Sequence, residues 1–169
     1  MENLIFLLTA SLVLYKSSKK PTTIVIGNTN ASVQFFSDAV FERTQSDNGD
    51  ELYYAEHPVQ GVTYGVLCAT LGSPLFFDEA HAVLRNFIER LEQPFYAMHN
   101  TGIDVTTTTD SGEYQIEMTD YWQDSDSVDW KVKGYCNGHS VAVLFVKNIS
   151  EIGVNAHDKF LDSFSFTKK

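Results

Sequence analysis

Residues 128–147 constrain the fold of this 169-residue chain more than any other stretch. Asn137-Gly138 separates two strand-like segments, Val128–Cys136 and His139–Lys147. Asn-Gly is a strong hairpin signal because both residues tolerate positive φ. A two-residue loop sets Cys136 opposite His139, Gly134 opposite Val141, Val132 opposite Val143 and Trp130 opposite Phe145. Alternation then gathers Trp130, Val132, Cys136, Val141, Val143 and Phe145 on one face. Tyr135, Ala142, Leu144 and Val146 fall on the other, diluted by Lys131 and Lys133. A sheet that is apolar on both faces needs cover on both.

The rest of the chain supplies that cover. Thr23–Ile26 and Ser32–Phe36 read as short strands, Ala39–Arg43 as a continuation of the second, and Thr44–Asp50 as a turn containing Asn48-Gly49. Glu51–Glu56 and Val62–Leu71 follow as strands, and Val62, Tyr64, Val66 and Cys68 share a face. Ala80, Val83, Leu84, Phe87, Ile88 and Leu91 then recur at helical spacing, a single apolar stripe suited to lying on a sheet. Ser73-Pro74 or Asp78 can start this helix and Pro94 ends it. Ile103–Thr109 and Glu113–Trp122 continue as strands, and an acidic loop, Gln123–Ser127, leads into the hairpin. A second helix at about 154–162 offers Phe160 and Leu161, with Val154 and His157, to the opposite face, and Ser163–Phe166 closes the chain as a strand. The fold class is α+β: an antiparallel sheet of about six to seven strands with helices packed on both faces.

This order resembles the PsbP-like superfamily: early strands, the extended strand VTYGVLCATL, one amphipathic helix, a meander, and the closing HDKFLDSFSF. That superfamily includes the photosystem II extrinsic protein, a Ran-binding nuclear import factor and several bacterial envelope proteins. Phe160-Leu161-Asp162-Ser163-Phe164 looks most like the bacterial members. The resemblance covers roughly residues 32–166 and rests on order and pattern. It implies the sandwiched sheet. It carries over no activity and no site residue, because these relatives do different things.

Charge excludes some partners. The chain carries 22 acidic against 12 basic side chains, a net charge of -10. Nucleic acids and anionic membranes are polyanions that select Lys/Arg patches, so neither is expected as a partner. Residues 91–130 contain nine acidic residues and no Lys or Arg, which makes one end of the meander a concentrated acidic surface.

The first 20 residues are read as a signal or membrane-anchoring segment, and residues 21–169 as one α+β domain. Leu4–Tyr15 is uncharged and 12 residues long. As a helix it spans about 18 Å, short of a roughly 30 Å hydrocarbon core but right for a secretory signal. The flanks fit less well: Glu2 precedes the run, and no clean small-x-small site follows it. The competing reading is a buried first element of the domain. The expected location is periplasmic, secreted or membrane-anchored, with membrane contact only through residues 4–15, and cytoplasmic if residues 1–20 belong to the fold.

Catalytic signatures are sparse. No phosphate-binding glycine motif, nucleophile elbow or H-E-x-x-H occurs. Asp120, Asp124, Asp126 and Asp129 crowd into ten residues, and alternate carboxylates can collect oxygens around Ca²⁺. The EF-hand spacing fails, and a solvated loop between strands is the ordinary reading. No cofactor is expected beyond that Ca²⁺. Cys68 and Cys136 form no C-x-x-C pair; they read as buried thiols or as a disulfide if the protein is exported. Cys136 with His139, completed by Cys68 and another His, is the other metal option, against the plain reading of a hairpin end. Tyr121 and Trp122 offer an aromatic binding surface, although alternation sends one of the pair into the core. The leading expectation is a non-enzymatic binding or accessory domain with unknown ligand. The alternatives are a carboxylate- or metal-dependent hydrolase using the loop 120–129, and a partner-specific chaperone or inhibitor.

Overall fold

The computed structural model describes residues 20–46, 49–100, 102, 104–110, 113–151 and 154–167. The apolar run 4–15 and its export reading lie outside them. Among the described residues eleven strands form two antiparallel sheets. The large sheet contains β3 (Glu42–Gln45), β4 (Glu51–Val59), β5 (Val62–Thr70), β10 (Ser140–Lys147), β9 (Asp129–Cys136), β8 (Glu113–Asp124) and β6 (Ala97–Asn100), in that order, and β7 (Asp104–Asp110) also pairs with β8. The small sheet is β1 (Pro21–Val25), β2 (Ala31–Phe36) and β11 (Ser165–Phe166), in the order β1-β2-β11. Two α-helices, α1 (Phe77–Glu92) and α2 (Val154–Leu161), accompany them among the described residues.

The central hairpin keeps its faces but not its register. Val141 pairs with Cys136, Val143 with Gly134, Phe145 with Val132 and Lys147 with Trp130, two residues away from the two-residue-loop alignment. Asn137–Ser140 forms a four-residue turn. The Asn137 side-chain oxygen accepts the backbone N–H groups of His139 and Ser140, and Gly138 sits at φ 81°. Loop backbone from the next layer holds the tip: Leu71 N–H donates to His139 O and Leu75 N–H to Gly138 O. A shift of two preserves which side each residue faces.

Each face of the large sheet carries its own core. On one face α1 buries Ala80, Leu84, Phe87, Ile88 and Leu91 against Leu67, Ile116, Met118, Trp122, Trp130, Val132, Cys136, Val141, Val143 and Phe145. The Phe145 ring lies directly over its pairing partner Gly65, the space a side chain there would fill. On the other face Tyr53, Val66, Cys68, Tyr135, Ala142, Leu144 and Val146 meet Val33, Phe35 and Phe36 of the small sheet, together with Phe160, Leu161 and Phe164. This second cover combines the small sheet with Phe160 and Leu161 of α2. An eight-residue helix such as α2 is only about 12 Å long, so β1, β2 and β11 supply most of the layer.

Other corrections follow from the same topology. β2 ends at Phe36, and Glu42–Gln45 joins the large sheet as an edge strand. That strand and the short β6 raise the large sheet to eight strands, above the six or seven expected. α1 starts after Phe76, not at a Ser73 or Asp78 cap; the Glu79 carboxylate reaches back to accept the Phe76 N–H at 3.0 Å.

Candidate functional site: the acidic end of the meander

The four aspartates of 120–129 do not converge. Asp120 and Asp124 are buried on the α1 face of β8, Asp126 is exposed in the turn, and Asp129 alternates with the buried Trp130. Among the described residues no three His, Cys, Asp or Glu side chains come together as a metal-binding group.

Their oxygens serve the fold instead. Asp120 accepts the Trp122 indole N–H and the Tyr121 backbone N–H, both at 2.8 Å. Asp124 Oδ1 accepts the N–H groups of Asp126 and Val128, each at 3.0 Å. Asp124 Oδ2 accepts the Trp130 indole N–H at 3.0 Å and pairs with Lys147 Nζ at 3.0 Å. Burial alone raises the Asp124 carboxyl pKa, but the bonds from Val128, Trp130 and Lys147 outweigh it and hold the pKa below the ordinary value. Asp129 accepts the Gln123 side-chain amide at 3.0 Å. The sequence shows a row of carboxylates; it does not show that two indoles and a lysine are waiting for them.

Trp122 is 3% exposed and packs in the α1 core, which removes it from any binding surface. Its neighbour Tyr121 is exposed on the other face, with Lys131 Nζ 5.2 Å from the ring centroid. Lys131 also pairs with Asp158 at 2.6 Å, and Lys133 with Asp162 at 2.6 Å and Glu117 at 2.9 Å. Burial disfavours both ammonium groups, yet these partners raise their pKa values overall. Tyr135 adds a buried bond to Leu161 O at 2.6 Å. This face therefore docks α2.

The cysteines belong to separate cores. Cys68 lies in the cluster under the small sheet and Cys136 in the cluster under α1, and both are free. They stand on β5 and β9 with β10 between them. Two strand spacings put their backbones roughly 9–10 Å apart, beyond disulfide reach. The strand positions correct the disulfide expectation, because the two strands do not come adjacent. Burial pushes the Cys68 thiol up to about 12 and raises Cys136 as well. His139 stands in the turn, not opposite Cys136.

What the sequence reading missed is the outer edge of β8. There Tyr96 is 70% exposed with φ 57°, a left-handed conformation that is costly for an aromatic residue. Its carbonyl accepts the Ser125 N–H at 3.1 Å. Two residues on, the register of β6 against β8 shifts between Ala97 and His99, and the bulged Met98 is 65% exposed. Val105 of β7 is exposed farther along the same edge. Strain and bulges leave no periodicity in a sequence, so only geometry reveals them.

The comparisons bear on the architecture. No protein-family model matches the chain, and no curated protein matches it in sequence. Solved structures do match. The solution structure of cyanobacterial PsbP (CyanoP) from Synechocystis sp. PCC 6803 aligns with a TM-score of 0.57 over 95% of this chain and 98% of that one, at 10% identity. The fold is PsbP-like. No helix among the described residues is long and apolar enough to cross a membrane.

Proposed function

We propose that this chain is a non-enzymatic binding or accessory domain of the cell envelope or a secreted protein, and that it engages a protein partner along the β6–β7 edge. The PsbP-like fold supports an accessory role in general terms. The observation that carries the reading is Tyr96. A strained backbone persists where surrounding structure over-determines it, and such positions cluster at functional sites. Here the strain holds a large aromatic out in solvent beside the bulged Met98. Exposed aromatic and Met side chains are the groups that anchor protein interfaces. The envelope location rests on the uncharged run 4–15. Site-specific photo-crosslinking in the native cell tests the reading. A photoreactive residue at Tyr96 or Met98 gives one discrete adduct, while the same residue at the exposed Val40, on the loop between β2 and β3, gives none. Equal adducts at all three positions, or none at the edge, overturn it.

A further inference from the structure

We propose that β7 is a docking edge for an extended, basic segment of a partner polypeptide, which adds to the large sheet as a ninth strand. This rests on the binding-domain reading and names the chemistry of the partner.

The first observation is an open ladder. β7 pairs with β8 from Asp104↔Thr119 to Asp110↔Glu113 without a register break. Among the described residues no strand pairs with its far side. In an antiparallel ladder alternate residues turn N–H and C=O to the same side, so about half of the seven residues of β7 present both groups outward. Natural sheets blunt such edges by keeping them short, bulged, or marked by Lys or Pro. The other edges here are treated that way. β3 has only four residues, β6 has four and carries the bulge at Met98, β1 opens with Pro21, and β11 has two residues. β7 has seven residues, DVTTTTD, with no Pro, no Lys and no bulge.

The second observation is exposure. Val105, Thr106, Thr107 and Thr108 are all exposed, so neither α1 nor the small sheet covers this part of β7. β-branched residues favour a strand where neighbours are available to pack, and here an incoming strand supplies them.

The third observation selects the occupant by charge. β7 begins and ends with aspartate. A second copy pairing antiparallel about Thr107 sets position 104 opposite position 110 at both ends, and a parallel copy sets each aspartate beside its own counterpart. Like charges across a strand pair repel. Residues 97–124, which include β6, β7 and β8, hold six acidic residues and no Lys or Arg. A segment with Lys or Arg at its ends meets attraction at the same positions and is steered there from a distance. Backbone pairing then gives the affinity and the flanking charges give the choice of partner, which is strand addition as used by peptide-binding domains.

Two synthetic peptides test this with the full chain at low salt: capped Lys-Thr-Val-Thr-Val-Thr-Lys and the same sequence with Glu in place of both Lys. Amide NMR shifts and hydrogen exchange read the site. The Lys peptide shifts the β7 amides and slows exchange of the outward ones at least tenfold, and the Glu peptide binds at least tenfold more weakly. Asp104→Lys with Asp110→Lys reverses the preference. Lack of any β7 response to the Lys peptide overturns the inference, as do equal responses to both peptides and a β7-mediated dimer of the free protein. Binding elsewhere on the β6–β8 edge overturns strand addition alone and leaves the binding-domain reading standing. Cleavage of the peptide defeats both.

Discussion

Asp124 and Trp130 meet across the β8–β9 turn: the indole N–H of Trp130 donates to Asp124 Oδ2 at 3.0 Å, with both residues buried. Lys147 Nζ lies 3.0 Å from the same oxygen and 4.8 Å from the centroid of the Trp130 ring. One carboxylate thus ties together β8, the following turn, β9 and the end of β10.

Asp124→Ala leaves a buried indole and turn N–H groups without their acceptor. The expected loss of stability is about 2–4 kcal/mol, read by urea denaturation with tryptophan fluorescence. Asp124→Asn keeps one acceptor oxygen and loses less. Because the folded-state pKa lies below the ordinary 3.8, the contribution is complete above that value and disappears as pH falls through the folded-state value. Wild type should lose more stability than Asp124→Asn on acidification below about pH 4. Equal slopes would show that the carboxylate charge contributes nothing.

Tyr96 separates stability from binding. Tyr96→Gly and Tyr96→Ala both remove the ring, but only glycine is at ease at φ 57°. The glycine variant should be more stable than the alanine variant by about 1 kcal/mol in the same denaturation experiment. Both variants should lose adduct formation with a crosslinker placed at Met98. An alanine variant as stable as the glycine variant removes the strain argument.

His57 makes the fold sensitive to mild acid. Its ring stacks on Phe36 at 4.2 Å, and Nε2 lies 4.0 Å from Asp38 Oδ1. Burial lowers its pKa, and the Asp38 charge opposes this only in part. The neutral ring is therefore favoured in the folded state, so its contribution is complete above the ordinary value of 6.5 and lost as pH falls below it. Melting temperature should drop between pH 7 and pH 5. His57→Phe, which keeps the stack, should flatten that drop; an unchanged slope assigns it elsewhere, with His157 the next group to replace, since burial lowers its pKa too.

Both thiols should resist modification. A thiol raised to about 12, as for Cys68, is almost wholly protonated near neutral pH, and the thiolate is the reactive form. Native protein should react with neither iodoacetamide nor a disulfide reagent, and unfolded protein should yield two thiols. An intact mass two hydrogens below the reduced value would establish a bridge and overturn the strand order.

The layers were legible in the sequence because burial writes itself into spacing. The helical stripe Ala80–Leu91 and the two-faced apolar pattern of Trp130–Phe145 report directly which side meets a core. The acidic row misled because a carboxylate bonded to an indole and one exposed to water look alike in one dimension. The small sheet was hard to see because β11 has two residues and finds β2 across more than 120 positions of chain. The disulfide idea failed for a related reason: parity within each strand was readable, but the strand lying between β5 and β9 was not.

The four-residue turn at 137–140 has a consequence for how this hairpin tolerates length change. The observed and the two-residue alignments differ by an even step, and both bury the same side chains. Residues can therefore enter or leave the tip in pairs without exchanging the two cores. A single insertion or deletion turns one strand over, sending Lys131 and Lys133 toward the helix and Trp130 and Val132 toward the small sheet, or doing the same to β10. The tip counts in twos.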